Sequence, residues 1–294
     1  MINRLFGNYL VKAGKLSSTQ LEAAFEEQKK ARVKLGLIAV SEKLMTPEQA
    51  KKVNRKQAML DKRFGDIAVD MGYLTEEQVT RLLGLQGNPY LTFAQAISDL
   101  GFMSISEIEK ALGDYQKENG FTLTDMEALK SGDSDRIVPL FMTPDADDLM
   151  IEHISIAVRT MIRLVDSDIY IGNATNLSTV KAFGYALQTL DGDTKASLGF
   201  TGIEDSLLEI ANPFAGEEFT TVDADALDSV AEFINCVNGM FATKVASRVN
   251  IDMLPPQYKA EDVIFNANNI CVLPIYIKGK KVNLLATFGE ALEV

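Results

Sequence analysis

A spacing of 29 residues recurs through residues 1–118 of this 294-residue chain and limits what that stretch can become. Gly7, Gly36 and Gly65 stand 29 apart, and the next step lands on Ala94. Gln28, Gln57 and Gln86 keep the same interval, with Gln116 one residue late. Leu16, Met45, Leu74 and Met103 share a register, and each precedes a hydroxyl residue: Ser17, Thr46, Thr75, Ser104. Three residues further on come Gln20, Gln49, Gln78 and Glu107. A hydroxyl followed at that distance by Gln or Glu is a reciprocal helix-capping pair. Leu21, Ala50, Val79 and Ile108 then begin an apolar stripe. Each unit reads as a short helix, a turn and a capped second helix. Such units cannot bury an apolar face alone and must stack. The sequence predicts four helical hairpins over residues 1–118.

The pattern resembles the cyclic di-GMP-binding motif of MshEN domains, which stand at the N-termini of type II secretion and pilus ATPases. The closest matches are Arg63-Phe64-Gly65 with Gln86, and Lys34-Leu35-Gly36 with Gln57. The resemblance implies that Arg63 or Lys34 and the Gln contact a guanine, while Gly36 and Gly65 let its backbone approach. The chain departs from the motif at Ala39 and Ala68, where the family has Leu, at Leu5 and Lys34, where it has Arg, and throughout the fourth unit. The same glycines and glutamines also suit turns and packing in stacked hairpins, and both readings stand at this point.

Charge separates the halves. Residues 1–118 carry 17 Lys+Arg against 15 Asp+Glu, and residues 119–294 carry 12 against 26. So acidic a second half is a poor partner for the phosphates of DNA or RNA. No apolar run reaches the roughly 18 residues of a membrane span, and the first residues lack a signal-peptide core. A cytoplasmic protein is expected, with Cys236 and Cys271 as buried free thiols. Residues 119–146 are rich in Gly, Pro and acids and read as a linker, with a short extended stretch at 137–142.

Residues 147–294 read as an α+β domain with antiparallel strands. Apolar residues at helical spacing mark a helix over 147–165, which carries the sole histidine, His153, read as a packing or surface residue. Strand patterns follow at 168–172, 180–190 and 195–201, with a hairpin at Asp191-Gly192. A helix over 203–211 is expected to stop at Pro213. Further strands are predicted at 246–253, 262–266, 270–277 and 281–288, turning at Asn268-Asn269 and Lys278-Gly279-Lys280.

The helix predicted over 223–244 is the most informative element. At 100° per residue Leu227, Val230, Phe233, Ile234, Val237 and Phe241 fall in a sector of about 120°, the core stripe. Asp228, Glu232, Asn235 and Gly239 share an opposite sector of about 60°. Glycine inside a helix costs about 1 kcal/mol relative to alanine, and asparagine is also a poor choice there. Both are explained if a partner approaches the backbone closely at this face.

Asp228-Ser-Val-Ala-Glu232-Phe-Ile-Asn235-Cys-Val-Asn-Gly239 resembles the signature helix of the CheX and CheC phosphatases, which dephosphorylate the chemotaxis response regulator CheY. The order of elements over 147–294 fits as well. Glu152 is followed by Ser155 rather than Asn, so one site per chain is expected. The resemblance implies that Asn235 orients a water for attack on an aspartyl phosphate and that Glu232 pairs with a receiver lysine. Asp228 and Gly239 would contact the partner, the receiver would supply its own Mg²⁺, and the domain would form a homodimer. No metal site is expected on this chain. The alternative is a non-catalytic module that binds a response regulator or flagellar-motor component, gated or not by cyclic di-GMP at the repeats.

Overall fold

The computed structural model describes residues 1–60, 62–203 and 205–294. They divide into two compact units, Ile2–Gly132 and Asp133–Val294. None of the helices among the described residues is long and apolar enough to cross a membrane.

The first unit is all helix: α1 (Ile2–Lys12), α2 (Ser18–Gln28), α3 (Leu35–Ser41), α4 (Pro47–Gln57), α5 (Phe64–Asp70), α6 (Glu76–Leu83), α7 (Pro89–Asp99), α8 (Ile105–Glu118) and α9 (Leu123–Ser131). The four expected capping boxes form at Ser17, Thr46, Thr75 and Ser104, each hydroxyl accepting from the backbone N–H three residues on while that residue's side chain accepts from the cap N–H. A fifth, Thr122 with Asp125, starts α9 inside the stretch expected to be a linker. Thr122 and Asp125 sit outside the 29-residue register, so the repeat gave no warning of this box. The turn inside each hairpin holds one residue in the left-handed region, at Gly14, Lys43, Gly72 and Gly101, again 29 apart. Three are glycine, which adopts φ > 0 without a Cβ clash. Lys43, at φ 56°, is the exception.

The second unit opens with α10 (Ser134–Ile137) and a 3-10 turn at Val138–Phe141, so the stretch expected to be extended is helical. Ile137, Val138 and Phe141 are buried, and burying them in a single short turn satisfies backbone groups that an isolated strand would leave open. Then come α11 (Asp148–Leu164), β1 (Tyr170–Ile171), β2 (Thr175–Gly192), β3 (Ala196–Gly202), α12 (Leu208–Ala215), α13 (Ala224–Val245), β4 (Ile251–Met253), β5 (Gln257–Ile277) and β6 (Lys280–Phe288). The sheet is antiparallel in the order β1-β5-β6-β3-β2-β4. Strand β5 also pairs with β2, so β2, β3, β6 and β5 form a closed circuit.

Further expectations change. The strands predicted at 262–266 and 270–277 are one strand, because Asn268-Asn269 is held in the extended line by Glu290, which accepts from both backbone N–H groups. The helix expected over 203–211 begins only at Leu208, runs through Pro213 to Ala215 and ends at Gly216, φ 69°, while Asn212 bonds the backbone of Phe219 at both ends of its amide. Only 251–253 of the strand predicted from 246 forms; α13 ends at Val245 with Ala246 as its C-cap, and the chain turns as the Arg248 and Val249 N–H groups donate to the Val245 carbonyl.

Successive residues of β2 point to opposite faces. Tyr185 and Leu187 join Phe265, Ile270, Val272 and Leu285 in one apolar cluster. Gln188 therefore faces the other way, onto α13. Phe233 of α13 packs edge-on against Phe200 of β3 and Phe214 of α12, at 5.8 and 5.5 Å. Phe233, Ile234, Val237 and Phe241 are fully buried, each worth roughly 1.5–3 kcal/mol. His153 of α11 is buried too, stacked on Phe241 at 4.1 Å.

Two predictions arise from these details. Lys43→Gly, at its left-handed turn, raises the unfolding free energy by roughly 0.5–1 kcal/mol in a denaturant titration. Burial pushes the pKa of His153 down to about 4, from an ordinary 6.5. Between those values the unfolded chain binds a proton that the folded protein rejects, so stability is full above pH 6.5 and is lost as pH falls towards 4. The loss is on the order of 3 kcal/mol, and His153→Gln flattens the slope of the urea midpoint against pH across that window.

Candidate functional site

Asp223 caps α13 by accepting from the Ala226 N–H, and the helix then carries its polar face out of the domain. Glu232 and Asp228 are exposed, and Asn235 and Gly239 are half-buried. The Asn235 Nδ2 lies 3.5 Å from Glu232 Oε2, a long contact. A Cβ built on Gly239 meets only Met253 Sδ, at 4.0 Å, so the helix backbone is open there. The Asp228 carboxylate beside the Tyr258 phenol of β5 raises the pKa of that phenol.

Asn235 stands between two surface features on α13. Towards the N-terminus, Phe214, Phe219 and Ser229 line a hollow with four carboxylates, Glu217, Asp225, Asp228 and Glu232. Towards the C-terminus, Ile156, Leu164 and Met240 floor a groove with Arg159, Arg163 and Lys244 at its edges and Gly239 at its margin. Arg159 is bound to Asp135, and Lys244 to Glu152. Cys236 opens into this groove and is exposed, contrary to expectation; Cys271 is buried, and burial pushes its thiol up to about 12. A strongly cation-seeking hollow thus lies beside an amide and an open backbone.

Glu209 and Asn212 repeat the Glu-x-x-Asn spacing, and both their glutamate and Glu152 of the Glu152-Ser155 pair are engaged elsewhere. Glu209 pairs with Lys278 and Lys280. Glu152 holds Lys244 and Arg248, and Ser155 is buried. Among the described residues no cluster of three or more His, Cys, Asp or Glu could hold a metal.

In the first unit, Lys34 and Arg63 occupy the N-cap positions of α3 and α5. Gly36 and Gly65 lie in the first turns of those helices and are filled by the chain itself. A Cβ would come within 2.9 Å of Phe64 at Gly36 and within 2.8 Å of Val79 at Gly65. These glycines allow helices to pack closely. The glutamines donate to main-chain carbonyls, Gln57 to Lys62 at 3.2 Å and Gln86 to Val33 at 3.1 Å. Gln86 is thus brought beside Lys34, and Gln57 beside Arg63, the reverse of the pairing drawn from sequence order. Lys34 itself is ion-paired with Asp99.

Sequence reasoning missed the support behind Asn235. Gln188 Nε2 donates to Asn235 Oδ1 at 3.0 Å and to the Leu254 carbonyl at 2.8 Å. Asn238 Nδ2 donates to Gln188 Oε1 at 2.8 Å, and His153 Nε2 lies 2.6 Å from Asn238 Oδ1. The available signal was a glutamine in an apolar strand, Tyr185-Ala-Leu-Gln188-Thr-Leu190, and an asparagine on the buried side of the helix.

Residues 185–264 match the family described as chemotaxis phosphatase CheX. No curated protein matches the chain. Among solved structures, the chemotaxis protein CheX from Desulfovibrio desulfuricans is 10% identical, covering 48% of this chain and 99% of that one with a TM-score of 0.43. A CheC-like superfamily protein from Shewanella sp. PV-4 is 19% identical over 49% and 100%, TM-score 0.43. The CheX-CheY-BeF3-Mg complex from Borrelia burgdorferi is 17% identical over 48% and 98%, TM-score 0.39. The C-terminal half of the chain contains a CheX/CheC-type domain.

Proposed function

We propose that this domain dephosphorylates the aspartyl phosphate of a CheY-like response regulator, with Asn235 orienting the water and Glu232 contacting the receiver lysine. The observation that carries the reading is Asn235 beside the open backbone at Gly239, on a helix whose sequence matches the family. A glycine packed against its own domain would have closed this face. The acidic hollow around Glu232 and Asp228 suits a lysine ammonium.

The chemistry asks little of the chain. An aspartyl phosphate is an acyl phosphate, already activated, with Mg²⁺ bound by the receiver. The water oxygen attacks phosphorus in line, the P–O bond to the aspartate breaks, and the carboxylate leaves as inorganic phosphate departs. Most of the acceleration comes from holding that water and the receiver in register. Asn235 presents its Nδ2 outward for this, since its Oδ1 already accepts from Gln188.

The repeats carry a second reading, a gate controlled by cyclic di-GMP. Its supporting observation is the pairing of each basic N-cap with a carboxamide: Lys34 with Gln86, and Arg63 with Gln57. Homodimerisation is part of the reading and is measured by light scattering of the full chain.

A phosphate-release assay over a panel of phosphorylated receiver domains tests all of this. Wild type is expected to accelerate release from at least one receiver, and Asn235→Ala to lose about 100-fold or more of that acceleration with an unchanged circular dichroism spectrum. Glu232→Gln is expected to weaken the stimulated rate without changing the fold. Equal acceleration by wild type and Asn235→Ala would sink the assignment; receiver binding without any acceleration would leave a docking module. A rate indifferent to added cyclic di-GMP, with no heat of binding, removes the gate.

A further inference from the structure

A carboxamide can help orient a water only if its two ends are told apart. Rotation of the Asn235 side chain by half a turn exchanges an N–H donor for a carbonyl acceptor at nearly the same place. Something must hold it one way round.

The group that does so cannot itself turn over. The Leu254 main-chain carbonyl only accepts, and it takes a hydrogen bond from Gln188 Nε2. This fixes the Gln188 amide. Its second N–H goes to Asn235 Oδ1, and its Oε1 is left to accept from Asn238 Nδ2. Asn238 is fixed in turn, so its Oδ1 faces His153 Nε2, which must carry the hydrogen. Every bond now points the same way: His153 donates to Asn238, Asn238 to Gln188, Gln188 to Asn235, and the Asn235 Nδ2 is left on the outside, towards Glu232.

Three of these side chains are sealed from water: His153 is 1% exposed, Gln188 2% and Asn238 0%. A buried polar chain contributes little net stability over well-packed apolar residues, yet it has high stakes once present because each unpaired group in it is costly. What it delivers here is direction. The neutrality of His153, held by burial, keeps an uncompensated charge out of the chain at physiological pH.

We propose that Gln188, backed by Asn238 and His153, is a positioning residue that sets which end of the Asn235 carboxamide meets the partner, a role that rests on the phosphatase reading of Asn235. Gln188 reaches neither the water nor the receiver; it acts through Asn235.

The test uses the full chain with Gln188→Glu and Gln188→Met. A carboxylate at 188 can only accept, so Asn235 turns its Nδ2 inward and shows its oxygen to the partner. A thioether leaves the amide without a fixed partner. In both variants kcat for phosphate release is expected to fall about 10- to 100-fold, with the receiver Kd within about two-fold of wild type. A purely structural role would instead lower the unfolding midpoint while leaving kcat of the folded fraction intact. The side-chain ¹⁵N–¹H pair of Asn235 gives a second readout that needs no turnover: it is expected to shift in both variants and to stay in place in Lys43→Gly, a substitution in the first unit. An unmoved Asn235 pair in a folded Gln188 variant overturns the proposal, as does an unchanged kcat where Asn235→Ala is inactive. If wild type releases phosphate from no receiver, the phosphatase reading fails, and the amide resonances alone decide whether Gln188 orients Asn235. If Gln188→Glu does not fold, Gln188→Met carries the same readouts.

Discussion

The seat of α13 on the sheet is the constraint on which the second unit depends. Its apolar side must disappear against β2, β3, α11 and α12, with Phe233 set on Phe200 and Phe214 and Phe241 set on His153. Once that side is fixed, helical periodicity leaves Glu232, Asn235 and Gly239 no choice but to face outward. The site is therefore a by-product of core packing, and its precision is inherited from a helix that cannot rotate without exposing several large side chains. One departure from an apolar seam is Asn238 with Gln188 and His153, where specificity of orientation replaces simple burial.

How much of this was legible in the sequence depends on the range of the interaction. Capping boxes are closed by residues three apart, so Ser17–Gln20 and its counterparts could be read directly and formed as expected. The polar face of α13 was legible for the same reason, since one period governs it. Long-range choices were not. Nothing near Asn268-Asn269 announces that Glu290 will hold the pair straight and fuse two strands into β5. Nothing near Asn235 announces Gln188, which lies 47 positions away and reaches it through the pleat of β2. Cys236 looked buried because its sequence neighbours are apolar, but the helix turns it outward into a groove.

The repeats show a different limit. A shared spacing identified Gly36 and Gly65 as special, and they are, but for the approach of Phe64 and Val79. A glycine reports that something comes close without saying what. Likewise Gln57 and Gln86 are fixed by main-chain carbonyls, Gln57 by that of Lys62 five residues on and Gln86 by that of Val33, 53 residues back.

The ladder between β2 and β5 has a temporal side. Thr175 pairs with Val272 and Leu187 with Gln257, while each hairpin of the first unit closes within a few dozen residues. Contacts so distant in sequence form late, because the loop between them must close before any bond rewards it. During synthesis from the N-terminus the helical unit can close hairpin by hairpin, while β2 waits with one edge open for β5. Helix α13 emerges before the strand that completes its bed, and Gln188 cannot find the Leu254 carbonyl until that residue has left the ribosome. Assembly of the amide chain, and with it the facing of Asn235, thus waits on Leu254, so a nascent chain that has not yet released that residue carries the signature residues in order but not in orientation.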